Sequence, residues 1–134
     1  MSYVTDYPAA LPEEAIHHFA RRLAVEADCS DVHDAINNGQ QDFVLLHVIG
    51  HPTAFNEKHV PGAIHLPHRQ INAGTLAQWP EEMLLVVYCA GPHCNGADKA
   101  ALKIAQAGRA VKIMLGGMTG WSDEGFAFEG THSR

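Results

Sequence analysis

The stretch LLVVYCAGPHCNGADKAALKIAQAG (residues 84–108) contains a strand, a tight loop and a helix in succession. Its first five residues form an apolar run rich in β-branched side chains, which is typical of a buried parallel strand. Residues 97–107 are mostly good helix formers, and Gly108 ends the segment. In an open α/β sheet, ligands bind beyond the carboxyl ends of the strands, so Cys89 and the loop after it form the candidate site.

Strands and helices alternate at short spacing on both sides of this unit. The pattern predicts a doubly wound parallel sheet flanked by helices, preceded by an N-terminal helical extension over residues 1–29. Ser30 is the predicted N-cap of the helix that follows the extension. Strands are predicted within 42–49, 59–67, 84–88 and 111–115, and helices over 12–27, 31–38, 53–58, 69–79, 97–107 and 119–123.

Composition narrows the class of protein. The 134 residues are 46% hydrophobic, which suits one soluble domain, and no apolar run approaches the length of a membrane span. The net charge is −6 and the basic residues form no stripe, so neither nucleic acid nor a membrane is an expected partner. Three cysteines at irregular spacing and an N-terminus without a signal-peptide pattern favour a reducing, cytoplasmic setting.

Cys89 directly follows the predicted central strand and precedes a helix. Backbone amides at the start of a helix favour a thiolate over a thiol, so an ionised sulfur is expected here. Gly91 and Gly96 allow the loop to curl without side-chain clashes, and Pro92 stiffens it. The inert alternative is that Cys89 is an ordinary buried core residue.

Three stretches, in this order and spacing, resemble a rhodanese-like (sulfurtransferase) domain. Residues 55–67, FNEKHVPGAIHLP, resemble the family signature "GHIPGAINLP". Residues 86–91, VVYCAG, resemble the strand that ends in the family's catalytic cysteine, and residues 111–121, VKIMLGGMTGW, resemble the closing "LxGGxxxW" motif. The resemblance covers roughly residues 30–129 and assigns residues 30–134 to a rhodanese-like domain.

The resemblance implies a function for the site. Cys89 would take a sulfane sulfur from a small donor anion as a persulfide and pass it to a thiophilic acceptor, without a metal or other cofactor. Lys99 and His93 are candidate cations for attracting the anion. The substrate-binding loop would comprise Ala90, Gly91, Pro92, His93, Cys94, Asn95 and Gly96, together with Lys99.

Two positions depart from the family pattern. Family loops commonly carry an arginine five residues after the catalytic cysteine, where this chain has Cys94. The family's Asp-Val-Arg before the signature is His47-Val48-Ile49 here, which removes an expected buried ion pair. Cys94 is a candidate resolving thiol, able to form a disulfide with Cys89; the alternative is a small residue filling space under the loop.

Other readings of the chain stay open. The missing arginine favours a catalytically silent binding or regulatory module, and a longer loop would suit a phosphatase-like or arsenate-reductase-like enzyme. Cys29 is expected to be structural, and His59 a hydrogen-bonded structural group. The histidines at 51, 59, 65 and 68 lack the spacing of a metal site. The N-terminal helix is a candidate contact in a homo-oligomer.

Overall fold

The computed structural model describes residues 1–131 and contains five strands and six α-helices in that range. The strands are β1 (Glu26–Asp28), β2 (Phe43–His47), β3 (Ile64–His65), β4 (Leu84–Tyr88) and β5 (Val111–Leu115). The helices are α1 (Pro12–Val25), α2 (Cys29–Asn37), α3 (Pro52–Glu57), α4 (Ala73–Leu76), α5 (Gly96–Gln106) and α6 (Gly117–Asp123), with a 3₁₀ turn at His68–Gln70.

All five strands are parallel and lie in the order β1-β5-β4-β2-β3. The predicted fold class, a doubly wound parallel sheet flanked by helices, is confirmed. The central strand β4 pairs along its length with β2, so that Tyr88 lies beside His47 at the carboxyl edge. The loop that begins at Cys89 therefore leaves the middle of the sheet, where neighbouring chain segments can surround it.

The edge strand β1, three residues long, was not predicted from the sequence. The helix predicted over 12–27 ends at Val25, and Glu26–Asp28 pairs with β5 as an edge strand. Three residues with an acid at each end carry no local strand signal, and only the pairing with β5 makes this segment extended. The extended backbone of Asp28 also makes it the N-cap of α2, accepting from the Asp31 N–H at 2.8 Å, so the cap predicted at Ser30 was wrong.

The sheet has an apolar core on each face. Because side chains alternate along a strand, Leu85, Val87 and Cys89 contribute to the core covered by α5. Val86 and Tyr88 point to the opposite core, which contains Trp121. The side chain of Cys89 thus lies on the face of the sheet that α5 covers, at the edge of that apolar core.

Helix α1 lies outside both cores and has no buried residue. The side chains of Ile16, Phe19 and Leu23, which share one helical face, are 65%, 55% and 71% exposed. None of the helices in the described range combines the length and apolar character that crossing a membrane requires. The apolar stripe of α1 is therefore an unpartnered surface feature of the chain.

Candidate active site

The loop of residues 89–95 connects the central strand to α5. The N–H of Cys94 donates to the carbonyl oxygen of Gly91 at 3.0 Å, which closes the loop on itself. Cys89 lies at the base of the loop and is only 4% exposed. Both cysteines line a cleft of about 460 Å³ whose walls also include Leu102 of α5 and Val25 at the end of α1. A small molecule in this cleft would reach the two sulfurs.

The start of α6 holds the first two residues of the loop. The N–H groups of Met118 and Thr119 donate to the carbonyl oxygens of Cys89 and Ala90 at 3.0 and 2.9 Å, and the Thr119 hydroxyl also donates to Ala90. Gly117 permits this approach: its φ is +56°, and a Cβ there would lie 2.2 Å from the Cys89 oxygen. The closing motif recognised in the sequence thus anchors the cysteine.

The two glycines within the predicted loop set are required for space. Neither has a positive φ. A Cβ on Gly91 would lie 2.5 Å from the Thr119 hydroxyl oxygen, and one on Gly96 would lie 2.6 Å from Cγ2 of Ile49. Any side chain at either position would push the loop away from α6 or from the segment after β2, in agreement with the role predicted for these residues.

Cys89 and Cys94 lie against each other. The Cys89 thiol donates to the Cys94 carbonyl oxygen at 3.2 Å, and the Gly96 N–H donates to the Cys94 sulfur at 3.4 Å. Both cysteines also lie beside Gly96. A Cβ atom added to Gly96 would lie 3.4 Å from Cys94 Sγ and 3.5 Å from Cys89 Cβ. The sequence suggested that a curled loop could bring the cysteines together, and the structure does so while leaving both as free thiols.

The two thiols have opposite pKa shifts. Burial raises the pKa of Cys89, and so does its hydrogen bond to Cys94; the amides of Ala97 and Gly91 oppose these effects without overcoming them. Burial also acts to raise the pKa of Cys94. There it is outweighed by the Cys89 thiol, two loop amides and the charge of Lys99, so the pKa of Cys94 is lowered.

The surroundings of Cys89 therefore do not favour the thiolate that the sequence predicted there. An ionised Cys89 was expected, but its neighbours on the α5 face of β4 are apolar, and burial among them disfavours its charge. Cys94 is more accessible, and the Gly96 N–H donates to its sulfur, so negative charge is favoured at Cys94 over Cys89.

The remaining predicted loop residues lie at the rim. Pro92, His93, Asn95 and Lys99 are exposed. Asn95 occupies the N-cap position of α5, although its side chain makes no capping hydrogen bond. Among these residues, Lys99 has a clear electrostatic effect, since its charge lowers the pKa of Cys94.

Further cations near the loop were not identified from the sequence. The pKa of His68 is lowered by burial and by the charges of Lys99, Lys103 and Arg69, in decreasing order. The Lys103 ammonium also donates to the His68 carbonyl oxygen at 2.9 Å. These side chains belong to α5 and the turn after β3, which only the folded sheet brings together. Lys99 lies within electrostatic range of both Cys94 and His68 and joins this basic group to the cysteine pair.

His47, which stands where the family pattern has an aspartate, forms a buried pair with Tyr88. Tyr88 OH lies 2.7 Å from Nδ1 of His47 and accepts the Val60 N–H at 3.1 Å. Burial, assisted by His65 and His59, lowers the pKa of His47 to about 4. His47 is therefore neutral, and its Nδ1 accepts a hydrogen bond from the Tyr88 hydroxyl. Together with the bond from Val60, this contact holds β2, β4 and the 55–67 stretch together without buried charge.

Cys29 and His59 have the structural contacts predicted for them. The Cys29 thiol donates to the carbonyl oxygen of Leu115 at 3.3 Å, and burial beside Asp28 and Glu124 raises its pKa to about 11. His59 Nδ1 donates to the Phe55 carbonyl oxygen at 2.6 Å, and its Nε2 faces a carboxylate oxygen of Glu129 at 3.1 Å. Both side chains fix the framework around the loop.

Fold and site together define a small α/β domain with a cysteine in the loop after its central strand. The sequence model of the rhodanese-like domain family matches residues 28–124, and the chain belongs to that family.

Several solved structures share this architecture. The BH2092 protein from Bacillus halodurans is 37% identical with a TM-score of 0.87, over 92% of this chain and 89% of that one. Thiosulfate sulfurtransferase from Pseudomonas aeruginosa is 20% identical with a TM-score of 0.66, over 86% of this chain and 22% of that one, and supports the fold alone.

A curated relative matches a shorter part of the chain. The HTH-type transcriptional regulator Rv0324 of Mycobacterium tuberculosis is 38% identical over 63 residues, or 47% of this chain. The aligned region amounts to 27% of that regulator's length.

Proposed function

We propose that the protein is a sulfurtransferase that carries sulfane sulfur as a persulfide on Cys89. The observation that supports this most directly is the position of Cys89 at the base of the loop, in the cleft after the central strand, where the Ala97 and Gly91 amides act to lower the pKa of its thiol. Burial raises the pKa of the Cys89 thiol, whereas a persulfide anion carries its charge one atom further out, away from the apolar packing and towards the loop.

Sulfur loading begins with a proton transfer inside the cysteine pair. Cys94 accepts the proton of Cys89 as the Cys89 sulfur attacks the outer sulfur of a donor such as thiosulfate. The S–S bond of the donor breaks, sulfite leaves with the bonding electrons, and Cys89 holds the persulfide. A thiophilic acceptor then takes the outer sulfur and returns Cys89 to the thiolate.

The donor is expected to be a small anion. Lys99 supplies positive charge beside Cys94, and His93 lies exposed in the same loop. Long-range attraction by such charges raises the encounter rate with an anion and weakens with added salt. Reduced thiols are needed throughout the cycle, which favours the cytoplasm as its location.

Intact-protein mass spectrometry tests this function. The variants are exposed to thiosulfate or polysulfide, and the excess donor is removed. We expect Cys29→Ala either to retain one sulfur atom on Cys89 or to have passed that sulfur on after taking it up. Cys89→Ala is expected to do neither. Equal sulfur uptake by Cys89→Ala would refute the assignment, and circular dichroism of both variants establishes that they are folded.

A silent binding or regulatory module is the second candidate function. Two observations favour it: burial raises the pKa of Cys89, and a transcriptional regulator shares the 63-residue match. This alternative predicts that no sulfane donor modifies Cys89 at neutral pH, although the same donor modifies a small free thiol in parallel. The mass measurement described above distinguishes the two functions.

The apolar face of α1 suits a contact between two copies of the chain. Phe19 and Leu23 line a surface cleft together with Leu115, which is itself 40% exposed. With Ile16, these side chains expose roughly 400 Å² per copy, about half of what one partner buries in a standard interface. We therefore propose weak self-association through this face.

A further inference from the structure

We propose that Cys94 is a second nucleophile, which attacks the Cys89 persulfide, closes a Cys89–Cys94 disulfide and releases the carried sulfur as hydrosulfide. The proposal rests on the sulfurtransferase function. It assigns this chain a product that persulfide transfer alone does not yield, because the outer sulfur leaves as sulfide without an external acceptor.

The geometry of the loop provides the approach. The hydrogen bond from the Cys94 N–H to Gly91 folds residue 94 back over residue 89, and the Cys89 thiol lies 3.2 Å from the Cys94 carbonyl oxygen. Gly96 leaves the space between the two cysteines free of a side chain. A disulfide requires its two Cα atoms within about 7 Å, and a loop closed in this way favours that separation.

The electrostatics of the pair assign the direction of attack. Once Cys89 bears the persulfide, Cys94 is the remaining thiol, and the Gly96 amide still donates to its sulfur at 3.4 Å. Two further effects lower the pKa of Cys94, the Ala90 amide and the charge of Lys99. These contacts favour the thiolate form of Cys94, which is the form that attacks.

The step balances in atoms and electrons. The proton that Cys94 took up during loading first passes to the outer sulfur of the persulfide. The resulting Cys94 thiolate attacks the inner sulfur, the new Cys89–Cys94 bond forms, and the bond to the outer sulfur breaks. The outer sulfur leaves with the electron pair and its proton as hydrosulfide. Two cysteine thiols have been oxidised and one sulfane sulfur reduced, so a dithiol, or two small thiols, must then reduce the disulfide before the next cycle.

The basic group around Lys99 suits both charged products. Hydrosulfide and sulfite are anions that form against the Cys94 side of the loop, where Lys99 acts on Cys94 and on His68. The cleft beside the pair, about 460 Å³, is large enough for either anion together with water. A protein dithiol could reach the disulfide only at Cys94, because Cys89 is almost fully buried.

The test loads the reduced full-length protein with one equivalent of thiosulfate or polysulfide, without added thiol. We expect wild type to release one equivalent of sulfide and to lose the mass of two hydrogens, with peptide mapping identifying a Cys89–Cys94 disulfide. Cys94→Ser is expected to load more slowly, because its hydroxyl is a weaker proton acceptor, but the sulfur it gains should stay on Cys89. Its release of sulfide per persulfide formed should be at least about tenfold slower than in wild type. Cys29→Ala, changed outside the site, should behave as wild type.

The outcomes separate this inference from the function on which it rests. Wild-type protein that retains a stable persulfide and forms no disulfide would overturn the role of Cys94 and leave the sulfurtransferase intact. Wild type that gains neither sulfur nor a disulfide would overturn both. A persulfide mapped to Cys94 in wild type would reverse the two roles and would also count against the proposal. The wild-type arms decide the matter even where Cys94→Ser is unstable.

Discussion

The phenol of Tyr88 and Nδ1 of His47 are 2.7 Å apart in the core that lies behind the active-site loop. The same phenol oxygen accepts the N–H of Val60, so one side chain joins two strands to the family's signature stretch. A neutral pair at this point avoids the cost of burying two charges, and it makes the stability of the framework dependent on pH.

The first prediction concerns acid sensitivity. His47 has a pKa of about 4 in the folded protein against an ordinary value of 6.5, so between these values the unfolded chain binds more protons. The contribution of His47 to the free energy of unfolding should therefore be complete above pH 6.5. It should be lost as the pH falls towards 4, which lowers the free energy of unfolding by up to about 3 kcal/mol. Urea denaturation at a series of pH values measures the slope.

The matched comparison for the first prediction uses His47→Asn and His51→Asn. Asn at position 47 keeps an acceptor for Tyr88 and removes the titrating ring, so the slope between pH 6.5 and 4 should become shallower. His51 is exposed, and its substitution should leave the slope unchanged. His68, whose pKa is also lowered, contributes with the same sign in every variant. Parallel curves for His47→Asn and wild type would contradict the assignment.

The second prediction concerns the hydrogen bonds of the phenol. Tyr88→Phe retains the ring but leaves the Val60 N–H and His47 Nδ1 buried without their partner. A loss of about 1–3 kcal/mol in the free energy of unfolding is expected. Tyr7→Phe is the control, since that side chain is 86% exposed and its change should be near zero. Equal denaturation midpoints for the two variants would show that the buried hydrogen bonds contribute little.

Most of the fold could be predicted because its signals are local. The apolar run of β4, the helix formers of α5 and Gly108 at its end are legible in the sequence, and each element formed close to where it was expected. Strand β1 could not be predicted, because three residues acquire strand geometry only by pairing with β5. Because Asp28, the last residue of β1, is also the N-cap of α2, this helix starts at Cys29 rather than at the predicted residue 31.

The site was predicted less completely than the fold. The position of Cys89 follows from strand, loop and helix, but its protonation state depends on burial and on Cys94, which no local pattern encodes. The basic residues His68 and Arg69 lie far from the loop in sequence, so their proximity to Lys99 emerges only from the parallel sheet. The hydrogen bond between His47 and Tyr88 likewise could not be predicted, because it depends on the register between β2 and β4.

The third prediction separates steric crowding from backbone strain at Gly117. Gly39 and Gly117 have similar φ values, +65° and +56°, but nothing lies within 4 Å of a Cβ on Gly39. Gly39→Ala should therefore cost only the left-handed conformation, about 1–2 kcal/mol. Gly117→Ala adds a clash with the Cys89 carbonyl and should cost more, with a matching loss of sulfur loading on Cys89. Equal destabilisation by thermal melting would show that α6 can move without cost.

The fourth prediction concerns the charge of Lys99. Lys99→Gln should reduce the rate of Cys89 modification by an anionic donor several-fold, on the order of 3–10-fold at low salt, and much less for an uncharged donor. Lys58→Gln serves as the control, because that ammonium lies over the Phe128 ring. Stopped-flow or quenched mass measurements at two salt concentrations report the effect. A reduction equal for both donors would indicate a structural rather than an electrostatic role.

The fifth prediction concerns the exposed stripe of α1. Burying apolar side chains is the main drive for association, and a charge placed in the stripe opposes it. Phe19→Glu should therefore shift the protein towards the monomer in sedimentation velocity measured over a range of concentrations. Arg21→Glu also adds negative charge to α1 but leaves its apolar face intact, so it should retain the association of wild type. A wild-type protein that stays monomeric at the highest concentration would remove the basis for a contact through α1.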